Sequence, residues 1–246
     1  MSFEKSLKKI ARSFGYSLQK MKRSESEDDI LHRLFTLAGI DLVIDAGANH
    51  GAFAQLCRQA GYTGEIWCFE PNRDCISALR AKSSDDKGLK VFPMATGRGS
   101  ATAQLNVAGS DGNMGSLLAQ EEWLTTRFRS AWVRESYDVP VSRIDDVLDR
   151  EGVSDQVRIL LKMDTQGYDL ATFEGMGNRM TQVLAIKGEY AVQTIYKEAP
   201  EHWVMIDRLR AGGFEPFWFS TISRTKDGRL IEYDAYFVRT DFSSNL

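Results

Sequence analysis

Four short apolar runs in this 246-residue chain each lead into a carboxylate: Leu42-Val43-Ile44 into Asp45, Ile66-Trp67-Cys68-Phe69 into Glu70, Leu160-Leu161-Lys162-Met163 into Asp164, and the run 183–186 into Glu189. Acids scattered over a surface would not favour the ends of apolar runs over helix faces. Carboxylates so placed can accept the hydroxyl groups of a ligand or take a proton from a reacting one. The first run continues as Asp45-Ala46-Gly47-Ala48-Asn49-His50-Gly51. Glycines there let the backbone pass close to a ligand, although a plain strand-to-helix turn uses glycine in the same way.

Glu70 closes the second run and precedes Pro71-Asn72. An acidic residue after the second strand of a nucleoside-binding fold accepts ribose hydroxyls; a charge at a helix N-terminus is the plainer alternative. A dinucleotide calls for G-x-G-x-x-G, whose second glycine opens the way to the pyrophosphate. Here the spacing is G-x-x-x-G, with Ala48, Asn49 and His50 between. S-adenosylmethionine has ribose and adenine but no phosphate, so these residues favour a methyl donor over a dinucleotide. An alcohol is a poor nucleophile at neutral pH, and its methylation calls for a base within hydrogen-bond reach. Asp164 is the first candidate, Glu189 the second and His50 the third. A magnesium ion shared by Asp164 and Glu189 is the lesser reading, and no metal site is assigned.

The elements that must position these groups follow from periodicity. Continuous apolar runs suit strands buried on both faces of a parallel sheet. They recur at 42–44, 65–69, 89–92, 158–163 and 183–186, separated by helical stretches at 52–60, 74–81 and 168–174. This alternation predicts a doubly wound α/β fold with ligands at the carboxyl ends of the strands. Residues 214–219 and 233–239 read as an antiparallel pair joined by the polar stretch 220–232. Residues 97–157 read as a long insertion, and acceptor contacts are expected from 109–134 and from 220–232. Ahead of the first strand, Ser26, Asp28 and Asp29 introduce a helix through Ile30, Leu31, Leu34, Phe35 and Leu37 that ends near Gly39.

With 43% hydrophobic and 26% charged residues, the composition is that of an ordinary globular chain and excludes disordered, collagen-like and disulfide-scaffold classes. No apolar run approaches the roughly 18 residues of a membrane span, and no secretory signal follows the first basic residues, so a cytoplasmic location is expected. Cys57, Cys68 and Cys75 fit neither a zinc nor a disulfide pattern and read as reduced core residues. The net charge of -3 hides an asymmetry: residues 1–23 hold seven basic side chains against Glu4, a sum of +6, which leaves -9 for the rest. A nucleic-acid binder carries its charge on the domain rather than on a tip, so no nucleic-acid partner is expected. Phe3, Leu7, Ile10, Phe14, Leu18 and Met21 place an amphipathic helix in that tip. It would suit packing on the domain, a homodimer contact, or peripheral attachment to an anionic membrane.

The order of these pieces resembles the FkbM-type methyltransferases, which are class I S-adenosylmethionine-dependent O-methyltransferases. The resemblance rests on VIDAGANHG at 43–51, Phe69-Glu70-Pro71, VSRIDDVL at 141–148, LLKMDTQGYDL at 160–170, Glu189, Gly213-Phe214 and the stretch 234–239. It implies a helical extension at 1–40, a methyltransferase domain at 41–246, and a mostly parallel seven-stranded sheet with an antiparallel last strand. It also implies methylation of a hydroxyl, often on a sugar of a glycan, glycolipid or glycosylated natural product. By the same resemblance Asp45, Gly47, Asn49 and Gly51 surround the methionine end of the cofactor, Glu70 the ribose, and Ala95 and Thr96 the adenine. The chain departs from the family in Asp169, where Glu is common, and in Thr96-Gly97, where an aliphatic-glycine pair is usual. A nicotinamide-dependent oxidoreductase and a non-catalytic nucleoside-binding protein are the alternatives.

Overall fold

Ser26 and Asp29 start the first helix reciprocally. The Asp29 N–H donates to Ser26 Oγ and the Ser26 N–H to Asp29 Oδ2, which satisfies two backbone donors that a helix start leaves free. Helix α1 (Glu27–Ala38) ends at Gly39, whose φ of 57° only glycine adopts without cost. The computed structural model describes residues 25–109 and 114–243, so the amphipathic helix expected within 1–23 lies outside the described residues. Although the sequence reading assigns α1 to an extension, its stripe of Ile30, Leu31, Leu34 and Ala38 is buried in the main core.

The remaining chain runs β1 (Leu42–Ala46), α2 (Ala52–Gln59), β2 (Glu65–Phe69), α3 (Arg73–Asp85), β3 (Leu89–Phe92), β4 (Ala95–Thr96), β5 (Ala101–Val107), α4 (Glu122–Arg127), β6 (Glu135–Ser142) and α5 (Ile144–Arg150). It continues as β7 (Ile159–Met163), α6 (Asp169–Glu174), β8 (Val183–Ala191), α7 (His202–Ala211), β9 (Phe214–Arg224) and β10 (Leu230–Arg239). One seven-stranded sheet has the order β3-β2-β1-β7-β8-β10-β9. Its first five strands are parallel, and β10 enters between β8 and β9 antiparallel to both. Strands β1 and β7 are buried along their whole length, as continuous apolar runs require. Helices α1 and α2 cover one face over Val43, Ile66 and Leu160, while α5 and α7 cover the other over Ile44, Trp67 and Leu161. Each face thus buries its own core in a three-layer arrangement.

The stretch 97–157 is not the loop that its sequence suggests. Strands β4, β6 and β5 form a second, three-stranded sheet in that order. Leu105 and Val107 on β5 and Val139 and Val141 on β6 alternate inward with exposed neighbours. A strand with one solvated face shows this period-2 pattern rather than a continuous apolar run. Pro140 is tolerated because β6 meets its second neighbour only at Val141 and Ser142. The 220–232 stretch is likewise mostly strand, with β9 running to Arg224 and β10 starting at Leu230.

Candidate active site

Where β1 turns into α2, the backbone of Gly47 passes so close to the end of β7 that a Cβ would lie 2.0 Å from the Asp164 carbonyl oxygen; its φ is 77°. Both conditions demand glycine. The turn is tied on its other side, where the N–H groups of Gly47 and Ala48 donate to the carbonyl of Phe69 at the end of β2. Three strand ends thereby converge on one crevice, the place where parallel α/β sheets hold ligands.

A cleft lies between these strand ends and the small sheet, and Gly47, Asn49, Glu70, Ala95, Thr96 and Asp164 all line it. Glu70 lies on its floor, 6% exposed. Its carboxylate accepts from the Asn49 N–H at 2.6 Å and from the Asn72 N–H at 2.7 Å. A carboxylate has about four acceptor positions, so two such bonds leave capacity for hydroxyl donors. Burial pushes the Glu70 carboxyl up to about 7, against the opposing pull of those two N–H groups. Phe69, Leu105 and Leu117 supply apolar wall, and among the described residues no lysine, arginine or histidine lines this cleft.

Two residues of the expected set stand elsewhere. Asp45 is fully buried inside β1, does not line the cleft, and pairs with Lys162 Nζ at 2.9 Å. Gly51 begins α2 with φ 78° and packs toward Leu79 rather than facing the cleft. His50, the third base candidate, is exposed, turns its Nδ1 to the Asn49 side chain and does not line the cleft. The Thr96 hydroxyl, although at the cleft edge, is engaged with Thr172 Oγ1 at 2.8 Å. That leaves Thr96 to present backbone and methyl to a ligand.

Asp164 follows β7 and borders three spaces at once: the cleft just described, a cavity beneath β8, and a wider cleft. Lys162 Nζ approaches Asp164 Oδ2 at 3.5 Å and donates to the Gly47 carbonyl at 2.7 Å. Gln166 donates its amide to Asp164 Oδ1 at 2.7 Å, and its own Oε1 accepts from the Tyr196 hydroxyl. Burial alone would raise the Asp164 carboxyl, but Lys162 and the Gln166 amide outweigh it and hold Asp164 below the ordinary carboxylate range. Glu189 moves the other way. Burial, the charge of Asp164 and a shared hydrogen bond with Glu232 raise it enough to keep it protonated at neutral pH. This ranks Asp164 first as base and leaves Glu189 a proton donor.

Lys162 and Gln166 contact the candidate base, and the sequence analysis does not single them out. Lys162 had a signal: a lysine inside a continuous apolar strand must be paired where it is buried, and it is 4% exposed. Gln166 had none, because its φ of 53° and its partner Tyr196 appear only in three dimensions. The segment 114–131 roofs the wider cleft, docked by the Trp123 Nε1 donation to the Thr194 carbonyl at 2.8 Å and by Ser116 Oγ to the Gln166 carbonyl at 2.6 Å. Trp123, Arg127 and Phe128 line one wall, and Arg224, Ile231 and Glu232 from the β9–β10 hairpin the other. Among the described residues no group of three or more histidine, cysteine, aspartate or glutamate side chains is arranged to hold a metal ion, and no helix is long and apolar enough to cross a membrane.

A parallel sheet closed by one reversed strand between the last two, with a glycine turn and an acidic residue at adjacent strand ends, defines the class I methyltransferase architecture. The methyltransferase FkbM domain model matches residues 45–216, and the chain belongs to that family. A curated relative, the 2-O-methyltransferase NoeI of Sinorhizobium fredii, is 24% identical over 166 residues, which cover 63% of this chain and 65% of that protein. The chain therefore spans just under two thirds of that relative. Among solved structures, the methyltransferase FkbM of Methylobacillus flagellatus aligns with a TM-score of 0.48 at 13% identity, over 84% of this chain and 47% of that one. The magnesium protoporphyrin IX methyltransferase of Synechocystis, solved with bound S-adenosylmethionine, aligns at 0.46 and 9% identity over 97% of this chain and 85% of that one.

Proposed function

We propose that this protein transfers a methyl group from S-adenosylmethionine to a hydroxyl of a carbohydrate, with Asp164 as the base. The observation that carries this reading is the position of Asp164, ionised and held by Lys162 and Gln166, at the junction of the cleft holding Glu70 and the wider cleft. When bound, S-adenosylmethionine supplies a methyl group on a positively charged sulfur, with S-adenosylhomocysteine as leaving group. The cleft fits it: Glu70 can accept the ribose hydroxyls, the apolar wall suits adenine, and the absence of lysine or arginine among the described lining residues suits a donor without phosphate. Asn49, standing where a dinucleotide turn needs its second glycine to admit the pyrophosphate, disfavours a dinucleotide.

The acceptor hydroxyl loses its proton to Asp164 as its oxygen forms the new bond. Transfer in that order avoids a free alkoxide at neutral pH. The Gln166 amide and Lys162 Nζ keep the carboxylate in place while its charge is neutralised. Orientation supplies much of the remaining acceleration, since a hydroxyl held against the donor reacts as an intramolecular partner. Trp123 and Phe128, together with Asn49, Gln166 and Glu232, give the wider cleft both flat apolar and hydrogen-bonding surface, the combination that a sugar presents in return.

Two measurements test the reading. S-adenosylhomocysteine should raise the melting temperature and NADH should not. Labelled methyl from S-adenosylmethionine should appear on neutral glycans; labelling confined to non-carbohydrate acceptors would overturn the sugar assignment.

A further inference from the structure

The cavity beneath β8 meets the cleft assigned to the donor at Asp164 and Gln166, which line both. Leu170, Ile195, Pro200 and Met205 make its apolar wall. Its polar groups include Tyr190 and His202, and two of their atoms, Tyr190 Oη and His202 Nδ1, are buried without a hydrogen-bond partner among the described residues. Tyr190 is only 3% exposed. A buried polar atom left unpaired costs stability, so native proteins keep few of them. Two in one cavity beside the proposed base mark the place of a ligand that pairs with them.

The placement of Tyr190 is built rather than incidental. Its ring stacks on Tyr233 at 5.3 Å and meets Phe237 edge-on at 5.9 Å. Gly188 makes room for it, since a Cβ there would lie 2.6 Å from Tyr190 Oη. His202 begins α7 and stands edge-on to the same Tyr233 at 6.2 Å. Tyr233 thus packs against both rings that carry the orphan atoms.

We propose that this cavity receives an uncharged, polyhydroxylated ring of the acceptor, with Tyr190 Oη and His202 Nδ1 hydrogen-bonding hydroxyls other than the one presented to Asp164. The inference rests on the carbohydrate reading above and names the part of the acceptor that determines specificity. Asp164 is the carboxylate of the lining held ionised, and among the described residues no lysine or arginine lines the cavity beside it, so a uronate or sugar phosphate would be repelled. Burial holds both Asp169 and Glu189 above the ordinary carboxylate range, which lowers the pull on an amino sugar. A hydroxyl both donates and accepts and so suits the tyrosine and either tautomer of the histidine. The Leu170 and Met205 side faces the C–H surface of such a ring.

The test uses the full chain loaded with S-adenosylhomocysteine and a panel of methyl hexopyranosides and short neutral oligosaccharides, with uronate, 6-phosphate and amino counterparts, followed by saturation-transfer NMR and calorimetry. Neutral members should bind and the uronates and phosphates should not. Tyr190→Phe should weaken neutral binding at least tenfold, keep S-adenosylhomocysteine affinity, and melt at the same or a higher temperature, because it removes an unpaired hydroxyl. A merely structural tyrosine would not combine those three results. His202→Ala gives a second, independent reading of the same loss. Unchanged glycoside binding and KM in both variants would overturn the cavity assignment while leaving carbohydrate methylation intact, and so would a preference for anionic or amino sugars. Failure of the wild type to bind or methylate any carbohydrate, with methylation of another class of hydroxyl, would overturn the function and this inference together.

Discussion

Lys162 and Asp45 form a fully buried ion pair, Nζ to Oδ1 at 2.9 Å, that joins neighbouring strands β1 and β7 beneath the glycine turn. Burial works against the Lys162 charge, yet Asp45 and then Asp164 outweigh it and hold the ammonium above the ordinary lysine value. The pair thereby fixes the end of β7 relative to the turn that forms the donor cleft.

Removing one partner leaves the other charge buried and uncompensated. Lys162→Met and Asp45→Leu should each destabilise the fold by about 3 to 5 kcal/mol, while the double variant should lose less than either alone. Urea denaturation of all four proteins checks this. Equal and additive losses would mean that the pair is not coupled.

Gly47→Ala should fail in a different way. A Cβ placed 2.0 Å from the Asp164 carbonyl oxygen forces backbone apart at a residue with φ 77°. Overpacking of about 1 to 3 kcal/mol adds to roughly 1 to 2 kcal/mol for a left-handed alanine. Melting temperature and S-adenosylhomocysteine affinity should therefore fall together.

Glu70 predicts opposite pH trends for folding and for donor binding. Its carboxyl sits at about 7 in the folded protein against an ordinary value of 4.5, so between these values the folded state holds more protons than the unfolded one. Stability from this group falls as pH rises through that window. Donor affinity should rise over the upper part of it, as Glu70 ionises and becomes a better acceptor for hydroxyls. Glu70→Gln should flatten both profiles in calorimetry and thermal melts, and should weaken the donor by roughly 2 kcal/mol, the scale of a lost charged hydrogen bond.

Asp164→Asn keeps the shape but not the basicity. Turnover should drop roughly 10² to 10⁴-fold with donor affinity little changed. Because Asp164 is held below the ordinary carboxylate range, kcat should not acquire an acid limb from it near neutrality. Gln166→Leu removes the amide that orients Asp164 and should lower kcat about tenfold or more, the effect of a misplaced reacting group, again without loss of donor binding. A large loss of donor affinity in Asp164→Asn would place that residue on the methionine end of the cofactor instead.

Local chemistry is legible from residues close together in the chain. The Ser26 and Asp29 cap, the Gly39 stop, the buried strands β1, β2 and β7, and the strand-end positions of Glu70 and Asp164 all follow from neighbours a few residues away. The family followed from the order of such pieces. Strands β5 and β6 carry no continuous apolar run, because their Leu105, Val107, Val139 and Val141 alternate, as half-solvated strands do. The position of Asp45 near a strand end points to the crevice, yet the residue is fully buried, paired with Lys162 117 residues away in sequence, and does not line the cleft. The hold of Tyr196 on Gln166, which in turn bonds Asp164, and the orphan atoms of Tyr190 and His202 arise where segments distant in the chain pack together. Only tertiary structure decides such contacts, because burial turns a modest charge or hydrogen bond into a strong one and costs stability wherever a partner is missing.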